Sequence, residues 1–310
     1  MAKVAWTSTV DHNTTAGFRA WGSELSDRLS NTSPLLTKTA DTGQIDWATV
    51  TVPSTNQSAG FEMYELTDTL STTAPVFFKI TYETGSSASR LEMTIEIGVA
   101  TDGAGNFVGL TSGTEKRITT PFAPPGDPSV SYLSINEGFV GLVWQFDVMS
   151  SSPGKALGGF MISRTSNADG TMSPDGILAF ADSGNVSTNI TTAKLSARVL
   201  PANTIDFLGG WGGANDTSSF LVPSPDPNKT SFDGLAPEAI IGWVGIPEVH
   251  PISNIVAVNT REIGIPATFN VAVLGSTPRT YINMGIQLGA FVSGASSTVR
   301  ANYGMAMLWE

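Results

Sequence analysis

The sequence predicts an all-β fold, an antiparallel, jelly-roll-like β-sandwich with one short N-terminal helix and long loops rich in Gly and Pro. Short runs of β-branched and aromatic residues recur along the chain, as expected of strands. In residues 91–97 (LEMTIEI), apolar and polar residues alternate, which predicts a strand with one buried and one wet face. The chain also contains 32 Gly and 18 Pro, many of them in segments between these runs, where they favour turns.

The one predicted helix follows two candidate N-cap hydroxyls, Thr14 and Thr15. Apolar residues then recur every three or four positions and define one helical face: Phe18, Trp21, Leu25 and Leu29. Residues 31–34 end the helix. We expect the apolar face to pack either on the sheet of its own domain or against a neighbouring subunit.

Strand signals dominate the rest of the chain. The predicted strands are 47–52, 61–66, 76–82, 91–99, 139–149, 160–164, 177–181, 195–200, 240–244, 255–258, 267–274, 282–292 and 303–309. We therefore divide the chain into an N-terminal arm and helix, residues 1–34, and a β-sandwich body, residues 35–310. Residues 121–128 (PFAPPGDP) are either a boundary that splits the body into 35–120 and 129–310 or a crossover between two sheets.

Composition excludes several classes of protein. A net charge of −11 with scattered Lys and Arg opposes binding to nucleic acid. No apolar run has the length needed for membrane insertion, and the first residues lack the apolar core of a signal peptide, so we expect synthesis in a cytoplasm. The absence of Cys excludes disulfides, thiolate catalysis and zinc–thiolate sites.

Catalytic constellations are weak, and we predict that the chain is not an enzyme. The two histidines are His12 and His250, and no G-x-S-x-G motif accompanies them. We expect His250 to lie in a loop, because residues 247–251 (PEVHP) are bounded by Pro. Glu92 and Glu96 lie on one strand face, but four positions along an extended backbone is too far for a retaining glycosidase. Their alternation with apolar residues is typical of solvent-facing side chains.

No cofactor or metal is predicted either. Oxygen-bearing side chains occupy alternate positions between Asn167 and Asp175, but the twelfth position of a calcium loop is Leu178, and a hairpin turn explains the pattern better. Residues 102–106 and 226–233 fit a turn or a metal loop equally well. Residues 209–213 (GGWGG) lack the Lys-Ser/Thr of a phosphate loop. Trp211 within them lies either at an exposed tip or oligomer axis, or folded back on the core.

Several stretches resemble a family of uncharacterised structural proteins of tailed bacteriophages. The likeness covers roughly the first 110 residues and extends loosely to the C-terminus; it is carried by 18–23 (FRAWGS), 42–51 (TGQIDWATVT), 60–66 (GFEMYEL), 74–84 (APVFFKITYET), 102–106 (DGAGN) and 304–310 (GMAMLWE). The resemblance implies membership of a virion and leaves the position on the virion open. It implies no catalytic residues.

We therefore expect a virion structural protein of the neck, tail or tail-tip appendage, made in the host cytoplasm and acting as a symmetric homo-oligomer with other virion proteins as partners. The candidate interface residues are Phe18, Trp21, Leu25 and Trp211. The alternative is a receptor-binding module in which loops 209–215 and 223–232 contact a host surface glycan. A capsid decoration protein and a glycan depolymerase are lesser alternatives.

Overall fold

A computed structural model describes a large part of the chain. The described residues are 2–9, 14–54, 57–84, 91–108, 116–119, 128–148, 154–167, 169, 171–185, 194–199, 204–206, 220–221, 238–242, 250–259, 266–272, 277–287 and 303–310. Within these ranges the structure contains one helix and eighteen strands. No described helix is long and apolar enough to cross a membrane.

The helix, α1 (Thr15–Asn31), confirms the predicted one. Thr14 is the N-cap, and its Oγ1 accepts a hydrogen bond from the N–H of Gly17 at 3.0 Å. At the other end, the N–H of Thr32 donates to the carbonyl of Arg28. The four apolar residues that predicted the helix are all buried.

The strands follow one another along the chain with short and long connections. They are β1 (Ala2–Thr9), β2 (Leu36–Lys38), β3 (Ser58–Leu66), β4 (Phe77–Thr84), β5 (Leu91–Gly98), β6 (Lys116–Thr119), β7 (Pro128–Asn136), β8 (Phe139–Val148), β9 (Gly154–Ser166), β10 (Met172–Asn185), β11 (Lys194–Val199), β12 (Thr204–Asp206), β13 (Phe220–Leu221), β14 (Glu238–Gly242), β15 (His250–Asn259), β16 (Ala267–Val271), β17 (Arg279–Gln287) and β18 (Tyr303–Leu308). Every predicted strand except 47–52 overlaps one of these.

The strands form three sheets in which every described pairing is antiparallel. The five-stranded sheet is a meander from β2 to β6. The seven-stranded sheet has the order β1-β7-β8-β9-β10-β11-β12, so its first strand joins a meander that begins more than a hundred residues later. The six-stranded sheet has the order β13-β14-β15-β18-β17-β16.

One hydrophobic core joins α1, the five-stranded sheet and the seven-stranded sheet. Phe78 of β4 and Phe160 of β9 contact each other across it, with ring centroids 5.6 Å apart. The prediction of an all-β protein with antiparallel sheets packed together and a helix near the N-terminus is therefore confirmed. The connection from β6 to β7 passes from one of these sheets to the other. Residues 121–127 within that connection lie outside the described residues.

Two N-terminal segments differ from the sequence-based expectation. Residues 2–9, assigned above to an arm, form β1 and pair along their whole length with β7. Residues 47–52, predicted as a strand, contain a turn. The turn forms because the carboxylate of Asp46 accepts hydrogen bonds from the N–H of Ala48 at 2.9 Å and from Thr49 Oγ1 at 2.8 Å.

Candidate functional site

The predicted interface residues on α1 lie inside the molecule. Phe18 is 1% exposed, Trp21 is 9% and Leu25 is 4%. Phe18 packs edge-on against Trp47, and Trp21 against Tyr82. The helix thus packs on its own body, as in the alternative weighed above, and these three side chains offer little surface to a partner. Trp211 lies outside the described residues.

The most polar arrangement in the core surrounds Glu62, whose carboxylate is completely buried. Five side-chain donors converge on it, and they come from α1, three strands and the turn after Asp46. We call this group the Glu62 cluster; its donors are Ser26, Lys38, Trp47, Tyr64 and Tyr82.

The two oxygens of Glu62 divide the donors. Oε1 accepts from Lys38 Nζ at 2.5 Å, from Trp47 Nε1 at 3.2 Å and from Ser26 Oγ. Oε2 accepts from Tyr82 Oη at 2.6 Å and from Tyr64 Oη at 3.2 Å. Both oxygens are therefore occupied by groups of the chain itself.

The tyrosines of the cluster remain protonated at neutral pH. Burial raises the pKa of Tyr64 and of Tyr82 well above the usual range, and the negative charge of Glu62 raises both further. Each hydroxyl is consequently a donor to the carboxylate. The cluster thus stabilises one buried negative charge and, in doing so, ties α1 and the turn to strands β2, β3 and β4 of the five-stranded sheet.

Sequence reasoning did not identify Glu62, although a signal was present. In 60–66 (GFEMYEL), Glu62 alternates with Tyr64 and Leu66. Because alternate residues of a strand lie on the same face, Glu62 is on the face that carries these two large side chains. Both neighbours on that face are buried. A carboxylate on such a face needs donors from other elements.

Trp47 reaches Glu62 because Gly22 leaves room for its ring. A Cβ atom at Gly22 would lie 2.1 Å from the ring of Trp47. Arg19 holds the same turn from the helix, since its Nε donates to the carbonyl of Val50 and its Nη2 to the carbonyl of Thr49. The turn at 47–49 is thereby fixed against α1 instead of continuing as a strand.

A second buried carboxylate joins two sheets. Asp68, in the turn after β3, accepts from Arg164 Nε at 2.6 Å and from Arg164 Nη2 at 2.9 Å, and both side chains are completely buried. The neighbouring N–H of Thr69 donates to Glu137 between β7 and β8 at 3.2 Å. We call the first contact the Asp68–Arg164 pair; it ties the five-stranded sheet to β9 of the seven-stranded sheet.

The carboxylates considered for catalysis have other contacts. Glu96 forms an ion pair with Lys79 at 2.6 Å. The backbone of Glu92 lies opposite Glu83 in the β4–β5 register. His250 is the first residue of β15, opposite Gly242, and not part of a loop; His12 lies outside the described residues.

The candidate metal loops form turns where they are described. Asp169 Oδ1 accepts from the N–H of Thr171 within the connection between β9 and β10, which confirms the hairpin interpretation. Hydrogen bonds from the Asn106 side chain and the Ala104 N–H lower the pKa of Asp102. Within the described ranges no three His, Asp or Glu side chains are grouped to hold a metal ion. Residues 209–213 and 226–233 lie outside those ranges.

The buried charged groups Glu62, Asp68 and Arg164 all form contacts that join separate helices, strands and turns of the chain. The Glu62 cluster acts within the N-terminal third, and the Asp68–Arg164 pair acts between sheets. Comparison of the chain with family models, with curated proteins and with solved structures finds no match.

Proposed function

We propose that the chain is a structural component of a tailed-bacteriophage virion, in the neck, tail or tail-tip appendage, and that it acts through contacts between subunits. One observation favours this function most: the buried carboxylates Glu62 and Asp68 are hydrogen-bonded to other groups of the same chain. Glu62 has five donors from the chain, and Asp68 has a guanidinium. Such bonding suits a rigid building block.

The resemblance supports the proposal through the position of its motifs. The stretches 18–23, 42–51, 60–66 and 74–84 provide Trp21, Trp47, Glu62 and Tyr82, which lie in or beside the Glu62 cluster. The sequence motifs that carry the resemblance therefore lie where α1, the turn after Asp46 and the five-stranded sheet pack together. This is what a family with a common building block and no common catalytic site would share.

The surface chemistry indicates how subunits would meet. Among the residues whose side chains are described, a single large hydrophobic residue is exposed: Val108, at 50%. The side chains whose exposure the structure describes therefore form no apolar patch of the kind that obligate interfaces use. Contacts between copies would use polar side chains and backbone groups.

The proposal is tested on purified virions of a phage that encodes this chain. We expect mass spectrometry to detect the chain in stoichiometric amounts, and immunogold labelling to place it at the neck, tail or tail tip. A non-structural protein of the same phage serves as the control for contamination. Absence of the chain from washed virions would refute the proposal.

A glycan array probed with the purified chain separates the receptor-binding alternative. Specific binding together with labelling confined to the tail tip would favour that alternative. Labelling at the neck or along the tail without glycan binding would favour the structural role. Labelling of the head would instead favour a decoration protein.

A further inference from the structure

Among the described strands, β1 forms a long sheet edge that has a pairing partner on one side only. Among the six strands that end the three sheets, β1 is the longest, with eight residues; the others are β2 with three, β6 with four, β12 with three, β13 with two and β16 with five. It pairs with β7 along all eight residues without a bulge. Alternate N–H and C=O groups of β1 therefore point away from the sheet in a regular row.

This edge lacks the usual protection of monomeric proteins. Natural edges are blocked by charges, Pro, bulges or short length, because an unpaired strand is a template for another strand. β1 contains no Pro, and Lys3 is its one charged residue. Lys3 is directed elsewhere, since its Nζ donates to the carbonyl of Trp309 at 3.0 Å and lies over the Trp309 ring.

One face of β1 is anchored and the other is wet. Val4 and Trp6 pack against the core, and the Ser8 hydroxyl is 3.2 Å from that of Ser129 on β7. Ala5 and Thr7, on the opposite face, are exposed. The strand is thus held in place, and among the described strands none pairs with its outer edge.

We propose that β1 pairs antiparallel with β1 of a second copy, so that two seven-stranded sheets continue across a two-fold axis. The inference rests on the proposed function for the identity of the partner, and it names the surface through which copies meet. In a two-fold interface, residue i opposes residue j and j opposes i. Val4, Trp6 and Ser8 of both copies lie on the same side of the joined sheet only if even-numbered residues of one β1 oppose even-numbered residues of the other.

The charge distribution of β1 fits this pairing. With the axis at Ala5, Lys3 opposes Thr7 of the second copy and Val4 opposes Trp6. With the axis at Val4 or at Trp6, Lys3 opposes Ala5 or Thr9. No two lysines face each other in any of these registers, so the contact contains no like-charge pair.

The test uses the full chain and measures mass by light scattering and sedimentation over a range of concentrations. We expect a dimer that dissociates in Ala5→Lys, since two lysines then meet at the axis, with dimerisation at least about tenfold weaker. Ala5→Ser is the neutral control and should remain dimeric. An equimolar mixture of Ala5→Lys and Ala5→Glu chains should form heterodimers, because the new charges attract.

Circular dichroism checks that the variants fold. If Ala5→Lys does not fold, Thr7→Lys replaces it, since its side chain is exposed and opposes Lys3 of the second copy. A wild-type chain that stays monomeric at every concentration, or an oligomer unaffected by these charges, would overturn the inference. Virion membership is measured separately by mass spectrometry, so failure of the β1 contact and failure of the proposed function are distinguishable.

Discussion

The Glu62 cluster and the Asp68–Arg164 pair solve the same problem in different ways. Each contains a completely buried carboxylate. Glu62 shares its charge among five donors, and Lys38 among them is 29% exposed. Asp68 depends on one arginine and on the N–H of Leu70. Among the described residues, Arg164 Nη1 has no partner.

The number of donors to each carboxylate predicts how much stability each region loses when a single side chain is replaced. A charge with many donors loses a fraction of its stabilisation when one donor is removed. A charge with one main partner is left almost uncompensated when that partner is removed. We therefore expect the contact between sheets to be more sensitive to single substitutions than the contact between helix and sheet.

The largest effect is expected for Arg164→Met. Removal of the guanidinium leaves Asp68 buried and unpaired, which costs about 3–5 kcal/mol of unfolding free energy. Denaturant titration followed by tryptophan fluorescence measures it. Because an apolar pair of similar volume avoids the buried charge, the double variant Asp68→Leu/Arg164→Met should recover part of the loss. Equal losses in the single and double variants would contradict the uncompensated-charge explanation.

A smaller loss is expected for Glu62→Gln, which keeps the shape of the side chain. Its amide oxygen still accepts from Lys38 and Trp47, but its NH₂ group meets two tyrosine hydroxyls that must reorient to accept. We expect a cost of about 2 kcal/mol, measured by the same titration. A loss as large as that of Arg164→Met would show that the cluster depends on the full charge of Glu62 and would break the comparison.

The smallest effect at neutral pH is expected for Tyr82→Phe, at about 1–2 kcal/mol, because four donors to Glu62 remain. Alkaline titration sharpens the result. The folded-state pKa of Tyr64 and Tyr82 is raised above the ordinary 10.0, so their contribution is complete below pH 10 and is lost as the pH rises further. Tyr82→Phe should weaken this alkaline loss, whereas Asp68→Leu/Arg164→Met should not change it. Identical alkaline profiles for wild type and Tyr82→Phe would contradict the assignment.

The predictable part of the fold is the part that local patterns determine. The spacing from Phe18 to Leu29 and the N-cap at Thr14 specified α1. Alternation located β5, and runs of β-branched and aromatic residues located β3 and β4. The strands that were missed are short or rich in Ser and Thr, as β1 and β7 are. Leu133 and Ile135 of β7 are buried, and Val4 and Trp6 of β1 pack against the same core. The two strands are brought together by pairing across more than a hundred residues of chain.

The candidate site was less predictable than the fold. The sequence-based interface on α1 depended on an apolar face that fits a sheet as well as a subunit, and in the structure Phe18 and Trp21 pack against the body. The predicted strand at 47–52 failed because side-chain hydrogen bonds of Asp46 outweigh the strand propensity of Trp47 and Val50. Neither competition can be decided from local composition.

By itself, the amino-acid sequence determined an acidic, cysteine-free, antiparallel β protein with one amphipathic helix, because charge, composition and periodicity are local properties. Only the tertiary structure decided which carboxylates are buried, which donors meet Glu62, that Asp68 joins two sheets through Arg164, and that β1 ends its sheet. The physical reason is distance along the chain. Asp68 and Arg164 are 96 positions apart, and only the packing of the core brings such groups within hydrogen-bonding reach.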